Sequence, residues 1–209
     1  MKINAMLASG AIAGSLTIVS FVTVSIADDH RAQSTVLAKS QDAPQEGSNS
    51  QDKYSVRVPG GLSFSEFKGY EGWSVIAVSQ NGPNISAILG NPTVIQAFKT
   101  GTPGNGAPFP DGSKMAKVHW IATKDVTETG QPIVPGGLRD IEFMSKDSNR
   151  FTDTHGWGYG VFHYETSSNS WRPGNLRDKP PQANDAKCGA ACHESVSDRN
   201  YVFTHYGPR

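Results

Sequence analysis

Between residues 74 and 164 short β-branched and aromatic runs are each cut off by Gly, Pro, Asn or Asp, and that punctuation rules out an architecture of long helices. Ser74-Val75-Ile76-Ala77-Val78-Ser79 ends at Asn81-Gly82-Pro83, and residues 85–89 end at Gly90. Residues 113–121, Arg139-Asp140-Ile141-Glu142-Phe143-Met144 and residues 157–164 complete the set. In the 113–121 run, Ala116, Val118 and Trp120 share one face, while Met115, Lys117, His119 and Ile121 share the other. Gly158 and Gly160 interrupt the most aromatic run and leave room for something bulky. One helix is expected after Asn91, which can cap, and Pro92, which fits a first turn; Val94, Ala97 and Phe98 form its apolar face and Gly101 stops it. Residues 102–112, 123–138 and 172–185 read as loops, and residues 146–151 as a helical turn. The 22 Gly and 13 Pro fit this picture. The expected class is α+β, mainly β: an antiparallel sheet with a few short helices and long Gly/Pro-rich loops.

The chain's 209 residues suit one domain plus extensions. Lys2 precedes an uncharged stretch over residues 3–27 that exits through Ser25-Ile26-Ala27 into Asp28-Asp29-His30. That is the layout of a signal peptide over residues 1–27, favoured over a transmembrane anchor because Ser and Gly dilute the stretch. Residues 28–53 lack large apolar side chains almost entirely and read as a disordered polar tether, with the folded domain over 54–209. The expected location is therefore the periplasm. Nineteen basic against 19 acidic side chains give no basic field, which argues against a nucleic-acid partner.

The chemistry concentrates at Lys187-Cys188-Gly189-Ala190-Ala191-Cys192-His193. Cys-x-x-Cys-His is the attachment signature of c-type haem: two thiols add across the haem vinyls and the next His supplies an axial nitrogen. Here three residues separate the cysteines, yet on a helix a spacing of four still puts both on one face. Structural zinc is poorly served by two Cys and one His, and a redox dithiol normally keeps the two-residue gap. A Cys188–Cys192 disulfide in a haem-free exported module is the bland alternative.

Four stretches in order resemble the cytochrome P-460 family and its relative cytochrome c-prime-beta. They are Phe98-Lys99-Thr100-Gly101; Asp111-Gly112 with Lys117 six residues after Asp111; Ile141-Glu142 leading into Lys146-Asp147-Ser148-Asn149-Arg150-Phe151; and Cys188 to His193 with Tyr201-Val202-Phe203-Thr204 beyond. The resemblance implies a mainly antiparallel β domain that forms a homodimer and carries one covalent haem c. Cys188 and Cys192 become the attachment thiols, the first offset by one residue from the family spacing, and His193 the iron ligand. Lys117 matches the lysine whose nitrogen bonds the porphyrin rim in P-460 members, against its reading as an ordinary solvated strand residue. Glu142 matches the acidic residue over the open face of iron. A partly desolvated Glu there would titrate nearer neutral and suit a catalytic base. Phe143, Met144 and the aromatics of 157–164 are expected to wall the haem.

The resemblance thus implies oxidation of hydroxylamine or conversion of nitric oxide, with electrons passing to a periplasmic acceptor. A non-catalytic gas-binding or electron-carrying cytochrome of the c-prime-beta kind is the second reading. His119, His155, His163 and His205 are further imidazoles, and no spacing selects one as a sixth ligand.

Overall fold

A computed structural model describes residues 51–58, 61–174 and 184–209. All lie in one unit, 47–209, so the signal-peptide expectation and nearly all of the tether fall outside the described residues. Contacts of the folded unit reach back to Gln51, whose side-chain oxygen accepts the Trp171 N–H at 2.6 Å.

Among the described residues six strands form one antiparallel sheet in sequence order: β1 (Ser74–Asn81), β2 (Asn84–Gly90), β3 (Lys114–Lys124), β4 (Ile133–Lys146), β5 (Trp157–Glu165) and β6 (Ser170–Pro173). Two α-helices accompany it, α1 (Pro92–Lys99) and α2 (Asn184–His193). The expected mainly-β class with short helices is what the chain adopts. Asn91 caps α1 as its position implies, its side chain accepting the Val94 N–H at 3.0 Å.

Strand alternation sends side chains to two separate cores. On one face Ala116, Val118, Ile141, Phe143 and Phe162 pack under Phe64 and Phe67, which short 3₁₀ turns hold against the sheet. On the other, Ile76, Met115, Trp157 and Tyr159 pack with α1, Phe109 and Val202. This second face carries the candidate site.

Three expectations need correction. Residues 123–138 are only partly a loop, since β3 runs on to Lys124 and β4 starts at Ile133. Pro135 is tolerated in β4 because pairing to β5 begins only at Asp140, leaving that end of β4 as an edge. Lys146 ends β4, so the expected helical turn begins one residue later, with the Phe151 N–H donating to the Asp147 carbonyl at 3.1 Å, and a 3₁₀ turn follows at Thr152–Thr154. Finally, β6 occupies residues read as the start of a loop.

Candidate functional site

Met115, Lys117, Glu142, Met144 and Tyr159 all stand on the second face of β3, β4 and β5 and line a cavity of about 570 Å³. Lys117 pairs directly across the ladder with Glu142, and the next rung sets Met115 against Met144 and Tyr159. Helix α2 closes the cavity from the other side with Cys188, Gly189, Cys192 and His193, and Val202 to Thr204 complete the wall. The helix comes this close because Gly189 lies over Tyr159: a β-carbon there would sit 2.9 Å from Tyr159 Cγ. Ala186, fully buried, anchors the same helix.

His193 is half-buried and its ring is fixed on three sides. Its Nδ1–H donates to the Tyr201 carbonyl at 2.5 Å, which leaves Nε2 as the nitrogen free to bind a metal. Tyr159 packs beside it with ring centres 5.0 Å apart, and Phe203 meets it edge-on at 4.9 Å. Burial lowers the imidazole's pKa against the opposing pull of the Tyr201 carbonyl and Glu142, so the neutral, ligating form is favoured. The accepting carbonyl is itself held in place. Asn200 and Tyr201 both adopt left-handed backbone, at φ 52° and 65°. The Asn200 side chain accepts the Phe109 N–H at 2.8 Å, and its carbonyl accepts the Trp157 indole N–H at 3.1 Å.

Cys188 and Cys192 are free thiols, exposed and one helical turn apart on α2, as their spacing requires. Lys117 Nζ lies 3.4 Å from Glu142 Oε2, with the two side chains 40% and 46% exposed. Glu142 is therefore ion-paired and about half exposed, because the lysine directly across the ladder shares its face. The five residues singled out from sequence (Lys117, Glu142, Cys188, Cys192 and His193) all line this one cavity.

Sequence comparison then decides the family: the Cytochrome P460 family model matches residues 67–204. The chain belongs to the cytochrome P460 family. It is accordingly a haem-binding cytochrome, and no curated protein matches it beyond that. The residues present fit a haem: a wide cavity walled by Met115, Met144, Tyr159 and Phe203, with an oriented imidazole of free Nε2 on its rim.

The expected aromatic wall is only half right for this cytochrome P460 protein. Met144 and Tyr159 face the cavity, but the Phe143 ring stacks on Phe67 at 3.9 Å on the opposite face, where Phe162 also points. The space at Gly158 is filled by the protein itself, since a β-carbon there would fall 2.4 Å from the Phe151 ring. Of the recognised stretches, two bond to each other. Asp111 accepts from the Ser148 N–H and hydroxyl at 2.9 and 2.8 Å, and the Gly112 N–H donates to the Lys146 carbonyl at 2.9 Å. They brace the start of β3, the strand that carries Lys117.

Sequence reasoning missed Tyr201 as the partner of His193 and the buried pair His119–Asp140 beside the cavity. Two consecutive left-handed residues carry no local signature beyond the asparagine. The buried pair was available only through the register of β3 on β4.

Proposed function

We propose that this cytochrome P460 family protein is an exported c-type cytochrome that oxidises hydroxylamine, or converts nitric oxide, at iron ligated by His193. The observation that carries the reading is the convergence of Lys117, Glu142, Cys188, Cys192 and His193 on one cavity from β3, β4 and α2. Covalent attachment would use the Cys188 and Cys192 thiols, whose exposed positions one turn apart let both reach the edge of a flat ring. A haem bound here supplies the redox chemistry and accepts the electrons.

The chain's own residues have separable tasks. The Tyr201 carbonyl holds the His193 Nδ1–H, fixing the ring's orientation and strengthening Nε2 as a donor. Glu142 takes protons from the bound hydroxylamine as it is oxidised, and Lys117 balances the carboxylate's charge at 3.4 Å. Met115, Met144 and Tyr159 keep the rest of the cavity wall apolar and limit water. Lys117 is also the amine placed to bond the porphyrin rim. Its pairing with Glu142 is the specific observation favouring the second reading, a gas-binding cytochrome with an unlinked lysine. Export and a periplasmic electron acceptor rest on the N-terminal sequence.

The test is oxidation of hydroxylamine by the haem-loaded protein with an electron-accepting dye. E142Q is expected to lower kcat by about 10²–10⁴-fold while leaving nitric oxide binding unchanged. Wild-type protein that binds nitric oxide and oxidises no hydroxylamine overturns the enzyme reading in favour of the carrier.

A further inference from the structure

One rung of the sheet is polar from edge to edge. Ser79, Ser86, His119, Asp140, His163 and Arg172 are successive cross-strand partners from β1 to β6, so all six share the face that carries the cavity. The adjoining rung holds Lys117 and Glu142. A polar rung is costly on a covered face, and its centre is covered: His119 is 9% exposed and Asp140 4%.

The centre is also organised. His119 Nδ1 and Asp140 Oδ1 are 2.5 Å apart, and Arg139 Nε lies 3.2 Å from the other oxygen of Asp140. His163 Nδ1 stands 3.9 Å from that same oxygen and is a third exposed. Burial works to raise the Asp140 pKa, but the His119 hydrogen bond and the charges of His119, Arg139 and His163 outweigh it and hold the carboxyl below its ordinary range. A ring nitrogen of His119, an oxygen of Asp140 and an oxygen of Glu142 lie within 4.8 Å of one another. A single water can bridge a span of that length.

From this geometry we infer that His119, oriented by Asp140, is the proton exit for Glu142, passing protons along the polar rung to His163 and solvent. The inference rests on Glu142 being the proton acceptor of the proposed reaction. With Nδ1–H held by Asp140, the neutral ring presents Nε2 as the acceptor. The Glu142 carboxylic proton moves through one water to Nε2, giving a carboxylate and an imidazolium, and Asp140 stabilises the new positive charge. The imidazolium then gives up its Nε2 proton through water to solvent on the His163 side, keeping Nδ1–H on Asp140, so that both groups return to their starting states. A divalent cation is the rival occupant of His119, Asp140 and Glu142. It is disfavoured because Arg139 and Lys117 already stand against the two carboxylates. His119 touches no substrate and is a positioning residue acting through Glu142.

H119Q keeps an amide able to bond Asp140 and removes the titrating ring; D140N and H163Q carry the same test should H119Q fail to fold. Two readouts use the haem-loaded protein: an infrared titration of the Glu142 carboxyl, its band marked by E142Q, and hydroxylamine turnover at low and high imidazole buffer. In H119Q the midpoint of the Glu142 band is expected to move. Its kcat is expected to fall about tenfold or more at low buffer and to recover at high buffer, with KM unchanged. An unmoved band overturns the relay, whatever happens to turnover. A band that moves in a protein oxidising no hydroxylamine supports the relay and refutes the activity instead. Stoichiometric zinc retained by the wild type and lost in H119Q overturns the relay and gives the trio to a cation.

Discussion

Asn200→Ala tests whether the turn behind His193 is built as described. The Asn200 Oδ1 accepts the Phe109 N–H at 2.8 Å, and the Phe109 residue is 1% exposed. Losing that acceptor leaves an orphaned N–H, which costs about 1–3 kcal/mol; Asn200 is itself only half-buried, so water can reach part of the site and the lower end applies. Alanine at φ 52° adds about 1 kcal/mol that asparagine avoids by bonding locally. The sum is about 2 kcal/mol. Asn200→Asp keeps both the acceptor and the tolerance for left-handed backbone, and should stay within about 1 kcal/mol of wild type. Urea denaturation of the two variants gives the difference directly, provided the slope is unchanged. The alanine variant should also weaken binding of the haem iron to His193, because the Tyr201 carbonyl next in sequence loses its brace. Equal stability of the two variants would refute the claim that this side chain holds the turn.

Gly158→Ala should destabilise by about 1–3 kcal/mol in urea and leave the haem spectrum unchanged, since its β-carbon meets Phe151 and not the cavity; an altered spectrum with full stability would contradict that placement. The depressed carboxyl of Asp140 contributes stability that is present above its unfolded pKa of about 3.9 and is lost as pH falls through its lower folded value. D140N should therefore flatten the fall in urea midpoint on acidification below about pH 4, and an unchanged acid limb would argue against the buried pair.

Much of this is legible in the amino-acid sequence. β-branched runs closed by Asn-Gly-Pro or Gly marked β1 and β2, an aromatic run marked β5, and Asn91-Pro92 marked the start of α1, because those signals are local. The β3 face containing Lys117 and His119 followed from a period of two. What stayed hidden depended on pairing over long distances. The four residues of β6 are too short for a pattern, and Pro135 hid the start of β4 until its unpaired edge was known. Phe143 and Glu142 are adjacent in sequence, yet alternation sends the Phe143 ring to Phe67 on one face of the sheet and the Glu142 carboxylate to Lys117 on the other. The Lys117–Glu142 ion pair was hidden for a similar reason, as it depends on the register of β3 on β4.

Peptide mass spectrometry of protein matured with haem-attachment machinery tests the central claim most directly. The account predicts one haem retained on the peptide containing Cys188, Cys192 and His193, with loss of the haem-bound peptide when both cysteines become serine. A mature protein whose Cys188–His193 peptide carries no tetrapyrrole mass, or holds its two sulfurs as a disulfide, would contradict it.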